Sequence, residues 1–144
     1  MILEYEINAP AGSSSGSQVV ILLHGRGSNR HDLFALHQHL PGDWIVIAPE
    51  APFPAAPWGY GPGSAWYRFL GRNRPEPESF SQSLAALEEF IGGLPSVLGG
   101  TPSKLALGGF SQGGTMSIGY ALSHPGAIPR VINFSGFLAD HPQE

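Results

Sequence analysis

Ser111 is the centre of Gly109-Phe110-Ser111-Gln112-Gly113, a G-x-S-x-G. A serine hydroxyl is a poor nucleophile until it is exposed, given a base and placed near donors for the oxyanion that forms. The spacing suits attack on a carbonyl carbon, because this pattern at a strand-to-helix turn lifts Oγ clear of the backbone. A second match, Gly12-Ser13-Ser14-Ser15-Gly16, precedes a strand and opens no helix, so it is read as a turn. Around Ser111, an apolar segment runs in and a helical segment runs out. Gly109, Gly113 and Gly114 stand where a Cβ would crowd the crossing of strand and helix. The start of that helix also brings backbone N–H groups and a positive dipole end toward a developing negative charge.

A second constellation is His24-Gly25-Arg26-Gly27-Ser28-Asn29, directly after an apolar run. A Gly-rich turn after the first central strand is where a further oxyanion donor originates. The two expected donors are the backbone N–H groups of Arg26 and Gln112. The turn has no Lys-Ser/Thr ending and no G-x-G-x-x-G, which argues against a phosphate-binding loop. His24 is expected to brace this turn. His31, His37 and His39 belong to the first helical segment, and the spacing of His37 and His39 does not suit a metal pair. No metal or organic cofactor is expected.

These residues need a frame. Gln18–His24, Asp43–Pro49, Lys104–Phe110 and Arg130–Phe134 are short apolar runs without clean alternation, as in parallel strands covered on both faces. Ile2–Ile7 alternates and reads as an edge strand. Leu33, Leu36 and Leu40 mark one helix, with Asp32 in its first turn. Phe80, Leu84, Leu87, Ile91 and Leu94 make one apolar stripe of a second, and Ser79 with Gln82 resembles its capping box. Gln112–Ser123 is a third, stopped by His124-Pro125-Gly126. Strands alternating with helices predict an α/β fold with a mostly parallel, doubly wound sheet. The stretch from Glu50 to Glu78 is long, rich in proline and aromatic residues, and a candidate pocket wall. Trp58, Trp66 and Tyr67 are its candidate substrate-binding residues.

Composition narrows the classes. The chain has 144 residues, a formal charge of −4, 42% apolar and 12% charged residues, consistent with one globular domain over residues 1–144. An acidic balance without a basic cluster argues against nucleic acid as a partner. The absence of cysteine removes disulfides and a thiolate nucleophile. No apolar run is long enough to span a bilayer, and the first residues do not read as a secretory signal, so a cytoplasmic location is expected.

Leu22-Leu23-His24-Gly25-Arg26-Gly27-Ser28, with Ala48-Pro49, Trp66-Tyr67, Gly109-Phe110-Ser111-Gln112-Gly113-Gly114 and Phe134-Ser135-Gly136, resembles the phospholipase/carboxylesterase family of α/β-hydrolases. That family includes acyl-protein thioesterases and small bacterial carboxylesterases. The resemblance runs from about Gln18 to Phe137. It implies an α/β-hydrolase fold and a serine carboxylesterase acting on short- to medium-chain esters or thioesters through an acyl-enzyme on Ser111.

A serine hydrolase of this fold places an acid and then a histidine after its serine. After Ser111 the chain offers only Asp140 and Glu144, and His124 and His141. His124 ends the helix that Ser111 begins, roughly 20 Å away at ~1.5 Å per residue. The resemblance places both partners beyond Glu144. The chain therefore reads as the N-terminal, nucleophile-bearing portion of the domain, without its C-terminal strands and helix. The remaining segment is expected on a separate polypeptide, with a homodimer as another possible arrangement. Two other readings stand beside this one: an inactive hydrolase-like fragment that binds or scaffolds, and a shortened enzyme using Asp140 and His141.

Overall fold

The computed structural model describes residues 1–139. Seven strands and four α-helices follow in the order β1 (Tyr5–Asn8), β2 (Gln18–Leu23), α1 (Arg30–Phe34), β3 (Ile45–Pro49), β4 (Phe53–Pro54), β5 (Ser64–Ala65), α2 (Pro77–Gly92), α3 (Leu94–Leu98), β6 (Lys104–Phe110), α4 (Gln112–Ser123) and β7 (Arg130–Phe134). The main sheet has the order β1-β3-β2-β6-β7. β1 is antiparallel to β3, and the other neighbours are parallel. The expected α/β sheet is present, built on the continuous apolar runs of β2, β3 and β6. All five residues of β3 are buried, which is why no alternation shows in its sequence.

The sheet has two unequal cores. Val19, Ile21, Leu23, Ile45, Ile47, Leu105 and Leu107 face α2 and α4 together with Phe80, Leu84, Leu87 and Met116. On the opposite face Val20, Leu22, Val46 and Ala106 pack against Leu33 and Phe34 of α1, with Leu40 and Trp44. The chain thus leaves β2 toward one face and β6 toward the other. Adjacent parallel strands whose following segments diverge in this way open a crevice at their carboxyl ends. Leu23 pairs with Gly109, so the turn after β2 and the turn after β6 flank that crevice.

Several expectations change at element ends. The second helix begins at Pro77, not at Ser79. Proline at the first helical position presets φ, so the helix starts earlier and the Ser79–Gln82 capping box does not form. Ser79 instead accepts from the Arg68 N–H and donates to Glu76. The apolar stripe is cut at Gly93, and Leu94 opens the separate helix α3, still fully buried. The first helix has one α-turn capped by Asn29 and continues as a 3₁₀ turn over Ala35–His39. The first strand begins only at Tyr5, and ahead of it Leu3 is buried while Ile2 lies in solvent, so the expected alternation from Ile2 fails.

β7 is an edge strand, and all five of its residues are exposed. Phe110 and Phe134 pair across β6 and β7, and both rings are about half exposed. Among the described residues, no helix is long and apolar enough to cross a membrane.

Candidate active site

Ser111 occupies the step from β6 to α4 with φ 54° and ψ −115°. This is a backbone region that side chains rarely occupy, and it costs about 1–3 kcal/mol unless the surroundings enforce it. The surroundings do so from three sides. The Ser111 N–H donates to the Phe134 carbonyl at 2.7 Å, and the Ser111 carbonyl accepts from Thr115 N–H at 3.0 Å. Gly113 lies against the end of β2, where a Cβ would come within 2.0 Å of the Leu23 carbonyl oxygen. The first turn of α4 therefore sits directly on the exit of β2.

The turn after β2 is held by the long loop. Gly27 N–H donates to Ser64 O at 2.9 Å, and Ser64 N–H donates to Ser28 O at 2.8 Å. Gly27 has φ 78° and its missing side chain leaves room for the Tyr60 carbonyl, 2.1 Å from where a Cβ would be. Its neighbour Arg26 points outward, its guanidinium 4.6 Å above the Tyr60 ring.

His24 braces the base of this turn and is 1% exposed. Its Nε2 accepts from Ala51 N–H at 3.0 Å. A backbone N–H only donates, so the ring proton is on Nδ1, which donates to Gly25 O at 2.7 Å. Burial holds the His24 pKa below its ordinary value, against the opposing effect of that carbonyl and of Glu50. The ring is therefore a neutral strut. Burial opposes the charge of Glu50, yet Ser64 Oγ and the Arg30 N–H hold its carboxyl below the usual range.

Ser111, Arg26, Gln112, Tyr67, Phe69 and Phe137 line one cleft of about 170 Å³. The sequence-derived Ser111, Arg26, Gln112 and Tyr67 thus come together. Among the described residues, neither the Arg26 nor the Gln112 backbone N–H donates to a protein acceptor. Tyr67 is fully buried, and burial pushes its phenol up to about 12, partly offset by the Thr115 hydroxyl. Its hydroxyl oxygen lies near that of Thr115 but meets no hydrogen-bond geometry with it or with any other described residue.

Two expected substrate-binding residues lie elsewhere. Trp58 does not line the cleft; it packs at a tilt against Phe53 and edge-on against Tyr60, with centroids 5.2 and 6.1 Å away. The loop's own hairpin, β4 against β5, turns it away. Trp66 is 0% exposed and does not line the cleft either. Its indole N–H donates to the His24 carbonyl at 2.9 Å, and its backbone N–H donates to Gln112 Oε1 at 3.0 Å. Phe137 reaches the cleft because Asn133 Oδ1 accepts from Gly136 N–H and folds the chain back after β7, after which Phe137 N–H donates to Thr115 Oγ1. The Phe134-Ser135-Gly136 turn was the available signal for that residue.

Of the histidines after the serine, His124 does not join the cleft. His124 stacks on Tyr120 with centroids 4.1 Å apart, and its Nδ1–H donates to the Tyr120 carbonyl. Asp140, His141 and Glu144 lie outside the described residues.

The family of phospholipases and carboxylesterases matches residues 5–143. The chain belongs to the phospholipase/carboxylesterase family. It is 27% identical over 140 residues to an acyl-protein thioesterase 1 of Eremothecium gossypii, covering 90% of this chain and 59% of that protein. The esterase PE8 structure superposes with a TM-score of 0.81 at 31% identity, over 97% of this chain and 66% of that one. A carboxylesterase of Mesorhizobium loti shares the fold, with a TM-score of 0.81 at 21% identity, over 96% of this chain and 64% of that one. This phospholipase/carboxylesterase family member spans 59% and 55% of the length of two curated relatives, the second an uncharacterised hydrolase of Mycosarcoma maydis. Its mostly parallel sheet is that of an α/β-hydrolase.

Proposed function

We propose that this chain carries the nucleophile of a serine carboxylesterase acting on short- to medium-chain carboxylic esters or thioesters. The observation that carries the reading is Ser111, held at positive φ in one cleft with two residues whose backbone N–H groups are unused. Ser111 Oγ attacks the ester carbonyl carbon, and the alcohol or thiol leaves from the tetrahedral intermediate. Water then releases the acyl group from Ser111. The Arg26 and Gln112 N–H groups receive the oxyanion, and removal of one such donor typically lowers the rate ~10²–10³-fold. Tyr67, Phe69 and Phe137 supply an apolar wall for the acyl or alcohol portion.

The base that takes the Ser111 proton and the acid that orients it come from outside these residues. Two observations support this. No histidine lines the Ser111 cleft among the described residues. The exposed strand β7, with Phe110 and Phe134 open beside it, suits pairing with a further strand. We favour a C-terminal hydrolase segment beyond these residues, over a second copy of this chain, as the source of both groups. That no histidine among the described residues lines the cleft also supports the second reading, a hydrolase-like module that binds without turning over.

Hydrolysis of p-nitrophenyl esters from acetate to octanoate, with Ser111→Ala as control, separates the two. A p-nitrophenolate burst that is lost in Ser111→Ala supports the esterase; equal release from both proteins supports the binding module.

A further inference from the structure

The two unused amides belong to elements that diverge. Arg26 follows β2, whereas Gln112 opens α4 after β6. An oxyanion hole works only if the gap between its donors fits one oxygen, so something must set that gap. Trp66 touches both sides. Its indole Nε1–H donates to the His24 carbonyl, two residues before Arg26, at 2.9 Å. Its backbone N–H donates to the Gln112 side-chain Oε1 at 3.0 Å. The other half of the same amide, Nε2, donates to the Tyr67 carbonyl at 2.8 Å. Gln112 is 4% exposed and Trp66 is 0% exposed, so water does not compete for these bonds. Trp66 is itself fixed from behind, because Ser83 Oγ on α2 donates to its carbonyl.

We propose that Trp66 and the Gln112 side chain form a bridge that sets the spacing between the Arg26 and Gln112 amides, and so are positioning residues for Ser111 chemistry. This rests on the esterase reading above. The indole is a strut with one donor at its far end. The Gln112 side-chain amide accepts one bond through its oxygen and donates one through its nitrogen. Gln112 has two separate tasks: its main chain faces the cleft, and its side chain fastens the segment that spans to the other donor.

The chemistry of the amide supplies a conditional test. A Gln112→Glu carboxylate accepts from Trp66 N–H but points a second lone-pair-bearing oxygen at the Tyr67 carbonyl. A protonated Glu regains one donor and one acceptor, enough for the two bonds that the Gln112 side chain makes. Burial raises its pKa above the usual value of about 4.3. Gln112→Met fills the space and makes neither bond at any pH. Trp66→Phe keeps a buried ring and removes only the indole donor.

The purified chain is mixed with p-nitrophenyl acetate, and acylation of Ser111 is timed by mass spectrometry between pH 5 and 8. Exchange of the Trp66 backbone amide is followed in parallel, corrected for its intrinsic pH dependence. Relative to wild type at each pH, Gln112→Met and Trp66→Phe acylate roughly ten- to a hundredfold more slowly throughout. Gln112→Glu shows the same defect at pH 8 and recovers toward wild type at pH 5. Its Trp66 amide stays protected across the range, whereas that of Gln112→Met exchanges faster. Wild-type acylation rates in all three variants overturn the bridge, as does a Gln112→Glu defect that does not change with pH. If wild-type Ser111 itself is not acylated, the esterase reading falls. The bridge is then decided by the exchange pattern alone, and unchanged Trp66 protection in Gln112→Met overturns it.

Discussion

Gly113 and Leu23 are in such close approach that a Cβ on the glycine would lie 2.0 Å from the leucine carbonyl oxygen and 2.7 Å from that of His24. The contact joins the helix after Ser111 to the exit of the strand before Arg26. Gly113→Ala forces backbone to move on one side, since no flexible side chain is there to yield. We expect a loss of about 3 kcal/mol in urea unfolding. A loss under 1 kcal/mol would mean that the two elements are not locked together.

Ser111 is expected to trade stability for position. At φ 54° a serine is strained, and glycine is not. Ser111→Gly should unfold about 1 kcal/mol later than Ser111→Ala, because alanine keeps the strain and glycine relieves it. Equal stability of the two variants would show that the backbone there is relaxed.

Acid should weaken the fold through His24. Its folded pKa lies below the unfolded value of 6.5, chiefly because the ring is buried. Below 6.5 the unfolded chain takes up this proton more readily than the folded one. The contribution is therefore complete above pH 6.5 and is lost as pH falls toward the folded pKa. Protonation of Nε2 also breaks its bond with the Ala51 N–H. Glu50 adds to the trend at lower pH, because its folded pKa is depressed and it loses its contribution as it protonates. His24→Gln should flatten the stability profile between pH 5 and 6.5, measured by denaturant midpoints.

Tyr67→Phe is expected to raise stability. The phenol oxygen is buried without a partner, and an unsatisfied hydroxyl costs about 1–3 kcal/mol. Phenylalanine keeps the edge-on packing against Phe80, 5.5 Å between centroids. A gain near 1 kcal/mol in thermal or urea unfolding is the expected result. A loss of that size would mean that the hydroxyl has a partner.

Central elements were legible because they are buried on both faces. β2, β3 and β6 contain continuous apolar runs, and the Ser111 turn lies at the end of one of them. Element ends were less legible. Pro77 started α2 ahead of the capping box expected at Ser79, since a preset φ outweighs one side-chain bond. β4 and β5 have two residues each, too few for any periodicity. In the site, Ser111, Arg26 and Gln112 follow from turn chemistry and position, and Tyr67 is one of the loop aromatic residues expected at the pocket. Trp66 does not, because composition marks an aromatic ring without saying which way it points. Only the fold shows that it turns inward to His24 and leaves the cleft to Phe69 and Phe137.

The central claim is that Ser111 Oγ is the nucleophile. Intact-mass and peptide analysis after acid quenching of a p-nitrophenyl acetate reaction tests it most directly. The nitrophenolate leaves without help, whereas release of the acyl group by water depends on a general base, so the acyl-enzyme should accumulate. The account predicts one acetyl group on the peptide containing Ser111, absent in Ser111→Ala. An unmodified Ser111 peptide, or equal labelling in Ser111→Ala, would contradict it.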